Sequence, residues 1–141
     1  MTTDSSNTSG DLTIRVYYED TDTGGVVYYA NYLKFFERGR TEWLRALGVD
    51  QHTLAVQEQM MFVVRHAEIA YRQAAHLDDQ IRIHTDVTDI RASTLVFSQQ
   101  AWRGTELLST ATVQVCVVHA VSFKPIRLST SLRDLLNKAL H

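Results

Sequence analysis

Between Met61 and Ala120 the chain carries four strand-like stretches in succession, "MFVVRHAEIAYRQA", "DQIRIHTDVTDI", "STLVFSQQAWR" and "LLSTATVQVCVVHA", separated by short polar turns such as "RAS" and "RGTE". Strand stretches joined by so few residues pair as antiparallel neighbours, so this run limits the fold more than any other feature. Ile81, Ile83, Thr85 and Val87 alternate with polar positions, and Ala111, Val113, Val115 and Val117 alternate with Thr112, Gln114 and Cys116. That period of two marks long strands with one wetter face.

What precedes the run decides what covers its dry face. "LTIRVYYE", Leu12 to Glu19, reads as a strand, and "DTDTGG" breaks it. From about Ala30 to Leu47 the residues Tyr32, Phe35, Phe36, Gly39, Trp43, Leu44 and Leu47 recur every three or four positions, the stripe of one helix face, and Gly48 supplies a stop. Gly39 inside that helix costs about 1 kcal/mol against alanine, which predicts close approach of another backbone there. "QHTLAVQEQM" reads as a second short helix or an irregular connection. Pro125 closes the strand region, and "STSLRDLLNKAL" has a serine cap and helical spacing. The predicted fold is α+β, with an antiparallel sheet of about five strands wrapped around a long central helix.

A length of 141 residues with 45% hydrophobic content fits a single domain over 12–141, behind a small, polar, disordered leader over 1–11. The net charge of −2, from 14 basic and 16 acidic residues without long runs, gives no footprint for nucleic acid. No apolar run is long enough for an integral membrane segment, and the leader lacks a signal-peptide pattern. One cysteine, Cys116, cannot form an internal disulfide and reads as an inert buried thiol, which predicts a cytoplasmic protein.

The stretch "EDTDTGGVVYYANYL", Glu19 to Leu33, holds more polar chemistry than a turn requires. A calcium loop starting at Asp20 would need an oxygen ligand where Gly24 stands and a bidentate glutamate where Asn31 stands, and the six histidines show no zinc spacing, so no metal is expected. Nucleotide glycine patterns and a serine-nucleophile elbow are also missing. That leaves Asp22, between a strand end and the start of a long helix, where Gly24 and Gly25 let backbone approach a ligand closely. A capping carboxylate is one reading. The other is acyl transfer, with helix amides holding a carbonyl oxygen as it becomes an oxyanion while the carboxylate attacks or activates water. A weakly basic aspartate suits an activated electrophile such as a thioester better than an amide.

The segment "VYYEDTDTGGVVYYANYLKFFERGRTEWL", continued by "FVVRHAEIAYRQAAHLDDQIRI" and "STLVFSQQ", closely resembles the hot-dog-fold acyl-CoA thioesterases of the 4-hydroxybenzoyl-CoA thioesterase family, and within it the tol-pal system-associated branch. The resemblance implies a hot-dog fold, homodimers that pair into homotetramers, and an active site at the dimer interface with contacts from both chains. It implies acyl-CoA as substrate, acyl-carrier protein as a possible second partner, and no cofactor. By the same resemblance Asp22 is the catalytic nucleophile or general base, the Tyr29 amide polarises the thioester carbonyl, and Tyr18 either supports the site through its hydroxyl or is a half-buried strand tyrosine. Gly25 and Val26 fall to substrate binding, as do Arg91 and Lys124, with Arg127 a further basic candidate for the coenzyme A phosphates. Phe35, Phe36, Met61 and Phe62 are candidates for the acyl pocket. One departure stands out: the branch usually carries histidine where this chain has Tyr29. A non-catalytic acyl-CoA or acyl-carrier-protein binding module is the alternative function. A hot-dog dehydratase would need a histidine near the helix start, and none occurs before residue 52.

Overall fold

The alternating stretches form one sheet. The computed structural model describes residues 11–140, in the order β1 (Leu12–Arg15), a 3-10 turn (Tyr18–Asp20), α1 (Asn31–Ala46), α2 (Gln51–Gln57), β2 (Met60–Tyr71), β3 (Gln80–Ile90), β4 (Thr94–Arg103), β5 (Glu106–His119) and α3 (Thr130–Ala139). The strands lie β1-β3-β4-β5-β2, every neighbouring pair antiparallel, so β2 is an edge although it comes second in the chain. Residues 1–10, most of the expected leader, lie outside the described residues. Asp11 is described, and its carboxylate meets Arg82 at 3.1 Å and His84 Nδ1 at 2.8 Å.

The first strand ends earlier than the sequence pattern predicts, at Arg15 instead of Glu19. The cause is local: the Tyr17 N–H donates to the Asp20 carboxylate at 2.9 Å, which folds Tyr18–Asp20 into a 3-10 turn. Val16 still exchanges hydrogen bonds with the segment before β3, donating to Asp79 O and accepting from Asp78 N–H.

Helix α1 lays its predicted stripe on the sheet, burying Tyr32, Phe35, Phe36, Trp43 and Leu44. Phe35 and Phe36 therefore belong mainly to the core, and Trp43 meets Phe97 of β4 edge to face at 5.8 Å. Gly39 is needed for close approach, but the neighbours are side chains and not another backbone. A Cβ there would sit 2.6 Å from Ile83 Cγ2, 3.0 Å from Thr85 Oγ1 and 3.1 Å from Gln99 Nε2. Gln99 is fully buried and satisfied: it donates to Phe36 O and Thr85 Oγ1 and accepts from Arg40. Satisfaction matters because an unpaired buried amide would cost about 1–3 kcal/mol.

Gly48 ends α1 with φ at +93°, a conformation that lets its N–H reach Arg45 O. At the other terminus Ser129 caps α3 by accepting from Leu132 N–H, and Leu132 and Leu136 pack into the core. Cys116 is buried, and among the described residues no helix is long and apolar enough to cross a membrane.

Candidate active site

The two aspartates of "EDTDTGG" have opposite surroundings. Asp20 is buried at 7% exposure, and its carboxylate accepts from Tyr17 N–H at 2.9 Å and from Asn31 Nδ2 at 2.8 Å. Its backbone carbonyl accepts from Tyr28 N–H as well. Asn31 is the first residue of α1, so Asp20 ties the turn before the glycines to the start of the helix. The sequence marks Asp20 only as the start of a rejected calcium loop, because its anchoring depends on a partner eleven residues later that only the folded loop brings close.

Asp22 is exposed. Its backbone N–H donates to Val26 O at 2.9 Å, its carbonyl accepts from Gly25 N–H at 3.1 Å, and Oδ1 accepts from Gly24 N–H at 2.8 Å. These bonds fix the carboxylate from one side, and its Oδ2 has no partner among the described residues. Both glycines have a reason: a Cβ on Gly24 would lie 3.3 Å from Asp22 Oδ1, and Gly25 takes φ +80°. The loop then joins a small ladder, with isolated bridges pairing Thr21 with Val27 and Val26 with His76.

Tyr29 stands just before α1. The first helical N–H groups are occupied by turn bonds, Asn31 to Tyr28 O, Tyr32 to Tyr29 O and Leu33 to Ala30 O. The Tyr29 N–H donates to no acceptor among the described residues, and the residue is 60% exposed. That ring packs against Tyr28 at 5.0 Å and edge-on to Tyr71 of β2 at 5.7 Å, and Tyr71 also meets Tyr32. Burial raises the Tyr71 phenol above its ordinary range, and the adjacent Tyr29 phenol adds to the effect. Tyr71 therefore presents a neutral hydroxyl at physiological pH. Tyr18 lies on the 3-10 turn and is 81% exposed, and its hydroxyl makes no hydrogen bond among the described residues.

Behind the ladder, Asp79 accepts from His76 N–H at 2.8 Å and from Arg103 Nη1 at 2.7 Å. Burial acts to raise its carboxyl, but the His76 amide and the Arg103 guanidinium outweigh it and hold the group below the usual carboxylate range. The segment carrying Ala75 and His76 is thereby fixed beside the Gly25–Val27 backbone.

The remaining predicted residues lie elsewhere. Arg91 sits in the turn after β3, where its Nε donates to Asp89 at 2.8 Å. Lys124 follows β5, its carbonyl accepting from His119 N–H. The Ala75–Asp79 segment precedes β3 and Arg91 follows it, so the eleven residues of that strand, at about 3.4 Å each, put roughly 35 Å between them. Within one chain Asp22, Gly25, Val26 and Tyr29 are brought together, whereas Arg91 and Lys124 gather at the opposite end of the sheet. Along the exposed side of α1 a groove of about 310 Å³ is lined by Leu33, Phe36, Val64, Ala67, Ile69 and Val113 among others. Of the other pocket candidates, Phe62 lines a smaller neighbouring cavity, and Phe35 and Met61 line neither. Among the described residues no cluster of His, Cys, Asp or Glu could hold a metal ion.

Comparison with known proteins gives this arrangement a context. The family model described as "Thioesterase superfamily" matches residues 24–110. The acyl-CoA thioesterase YbgC of Haemophilus influenzae is 50% identical over 113 residues, covering 80% of this chain and 83% of that protein. The acyl-CoA thioester hydrolase YbgC of Escherichia coli O157:H7 is 44% identical over 120 residues, covering 84% and 89%. Among solved structures, a probable thioesterase from Bartonella henselae superposes with a TM-score of 0.80 at 39% identity, covering 84% of this chain and 98% of that one. The five-stranded antiparallel sheet with its packed helices is the hot-dog fold of these proteins.

Proposed function

The chain belongs to the thioesterase superfamily, and from that premise we propose that it hydrolyses acyl-CoA thioesters to a free carboxylic acid and coenzyme A. The observation that carries the reading is the pairing of an exposed, fixed Asp22 carboxylate with an unengaged Tyr29 amide at the start of α1. The amide donates to the thioester carbonyl oxygen as negative charge builds on it, a type of contact worth roughly 3–4 kcal/mol in barrier. Asp22 attacks the acyl carbon or draws a proton from the attacking water. Both routes require the carboxylate to be placed and unblocked, and the Gly24 N–H does that from the side away from the open oxygen.

A two-chain site accounts for the distant basic residues. Strand β2 is a twelve-residue edge with Val64 and Tyr71 exposed, beside an exposed Leu33 on α1. Such an edge calls for a partner. Antiparallel pairing of β2 with its copy about a two-fold axis sets the Met60 end of one chain beside the Tyr71 end of the other. Arg91 and Lys124 of one protomer then lie toward the Asp22 loop of its partner, where Gly25 and Val26 face the thioester and the basic pair meets coenzyme A phosphates. The buried lone thiol of Cys116 fits a cytoplasmic setting.

The test is thiol release from short-chain, long-chain and aromatic acyl-CoAs and one acyl-carrier-protein thioester, comparing the native chain with Asp22→Asn of the same oligomeric state. The native chain turns over at least one thioester and the variant loses at least about a hundredfold, a barrier change of roughly 2.7 kcal/mol. If acyl-CoA binds but no thioester in the panel is cleaved, the chain is a binding module and the hydrolase reading is wrong.

A further inference from the structure

The isolated bridges place a third side chain in the site. Residues directly opposite in an antiparallel ladder point to the same side, and successive residues alternate. The Thr21–Val27 bridge sets Asp22 opposite Val26, a pairing that the Asp22 N–H to Val26 O bond supports, and the next bridge sets Val26 opposite His76. Burial agrees with the register: Val27 and Ala75 are buried on one side, while Asp22 and His76 are exposed on the other with Val26 half-buried between them. Asp22, Val26 and His76 therefore form one outward row. Opposed Cα atoms lie about 4.5–5.5 Å apart, so Asp22 and His76 stand roughly 10 Å apart at their Cα atoms.

Two side chains leaving the same face from Cα atoms that far apart can stand on either side of a thioester. The imidazole faces a carboxylate that is itself held, at a distance longer than a hydrogen bond. Nδ1 lies 3.8 Å from Asp79 Oδ2, the carboxylate that also receives the His76 backbone N–H and is held by Arg103. Nε2 has no partner among the described residues. A ring with one nitrogen toward a fixed carboxylate and the other open is how a proton-transferring histidine is set up.

We propose that His76 is the general acid of the thioester cleavage, giving a proton from Nε2 to the departing sulfur of coenzyme A. This rests on the thioesterase reading of Asp22. As oxygen, from water or from Asp22, bonds the acyl carbon, the carbon–sulfur bond breaks and its electron pair stays on sulfur, which takes the Nε2 proton. Where water attacks, its proton goes to Asp22 and returns through solvent to the imidazole. Where Asp22 attacks, water then cleaves the resulting acyl anhydride to the free acid and the Asp22 carboxylate, and the proton released returns through solvent to the imidazole, so either cycle consumes only water.

The experiment measures His76→Gln and Asp22→Asn on two thioesters of one acyl group, the best coenzyme A substrate and the matching thioester of an acidic aryl thiol, whose thiolate leaves without a proton. His76→Gln lowers kcat on the acyl-CoA about a hundredfold, the low end for general acid catalysis, with KM within threefold, and lowers kcat on the aryl thioester less than fivefold. Asp22→Asn loses both activities. The backbone N–H that holds Asp79 survives the substitution, so the segment keeps its place. Equal losses of His76→Gln on both thioesters would mean a structural role, and no loss on either would mean no role; each overturns the proposal while leaving the hydrolase reading intact. A native chain inactive on both thioesters overturns the two together.

Discussion

Asp20 and Asp22 are two residues apart in one loop and do different work. Asp20 is buried, engaged through both carboxylate oxygens and its carbonyl, and connects the end of the first strand segment to the first residue of α1. Asp22 is exposed, engaged through one carboxylate oxygen by a neighbouring glycine, and connects nothing distant. A carboxylate that spends its lone pairs on protein donors holds structure. One that keeps an oxygen open, beside an amide that also lacks a partner, is available for chemistry. The Asp20 anchor also places the Tyr29 amide, because Asn31 and Tyr28, the residues it holds, flank that position.

The largest effect that separates the two is on rate. Asp22→Asn lowers kcat/KM by at least about a hundredfold, roughly 2.7 kcal/mol of barrier, and leaves the thermal midpoint of unfolding within about 2 °C of native; a comparable fall in both would blur the distinction. Asp20→Ala works the other way, costing about 1–3 kcal/mol of stability because Tyr17 N–H and the Asn31 amide lose their acceptor, read as a lower denaturant midpoint at unchanged slope. Asn31→Ala removes only one of those bonds, and about 1 kcal/mol is expected from the same measurement.

A carboxylate pair far from the loop provides the smallest effect and a control. His84 lies between Asp11 at 2.8 Å and Asp86 at 2.9 Å, beside Arg82, on the face of β3 away from the helix. Burial pulls its imidazole down, but the two carboxylates outweigh this and the group ends above its ordinary value. A raised folded-state value stabilises fully below the unfolded value of about 6.5, and the contribution is lost as pH rises through the higher folded value. The charge contribution to the stability difference between native and His84→Gln is therefore greatest near pH 6, less than about 1 kcal/mol for a partly exposed cluster, and declines as pH rises through the raised folded value. A difference that grows with pH would reverse the sign, and a matching change in thiol release would break the separation of this face from the site.

Periodicity made most of the fold legible. The stripe from Tyr32 to Leu44 and the alternation in β3 and β5 each repeat over many residues, and burial of one face is what such repeats encode. The early end of β1 was hidden because a single side-chain bond, Tyr17 N–H to Asp20, overrides the strand propensity of "VYY". Gly39 announced a close contact without saying with what, since a missing side chain carries no information about the side chains it admits. At the site, Asp22 and its glycines could be read because they are consecutive. His76 could not, because its relation to Asp22 exists only through two isolated bridges across segments far apart in the chain. Arg91 and Lys124 show the converse: the family resemblance suggested phosphate contacts, while position places them at the other end of their own sheet.

The most direct measurement of the central claim is the ratio of thiol-release rates for Asp20→Asn and Asp22→Asn on the same acyl-CoA, at a temperature where both variants are fully folded. The division of labour between anchor and reacting group predicts that Asp20→Asn is at least about tenfold faster, a gap of roughly 1.4 kcal/mol in barrier. Equal rates, or a faster Asp22→Asn, would contradict it and move the chemistry off Asp22.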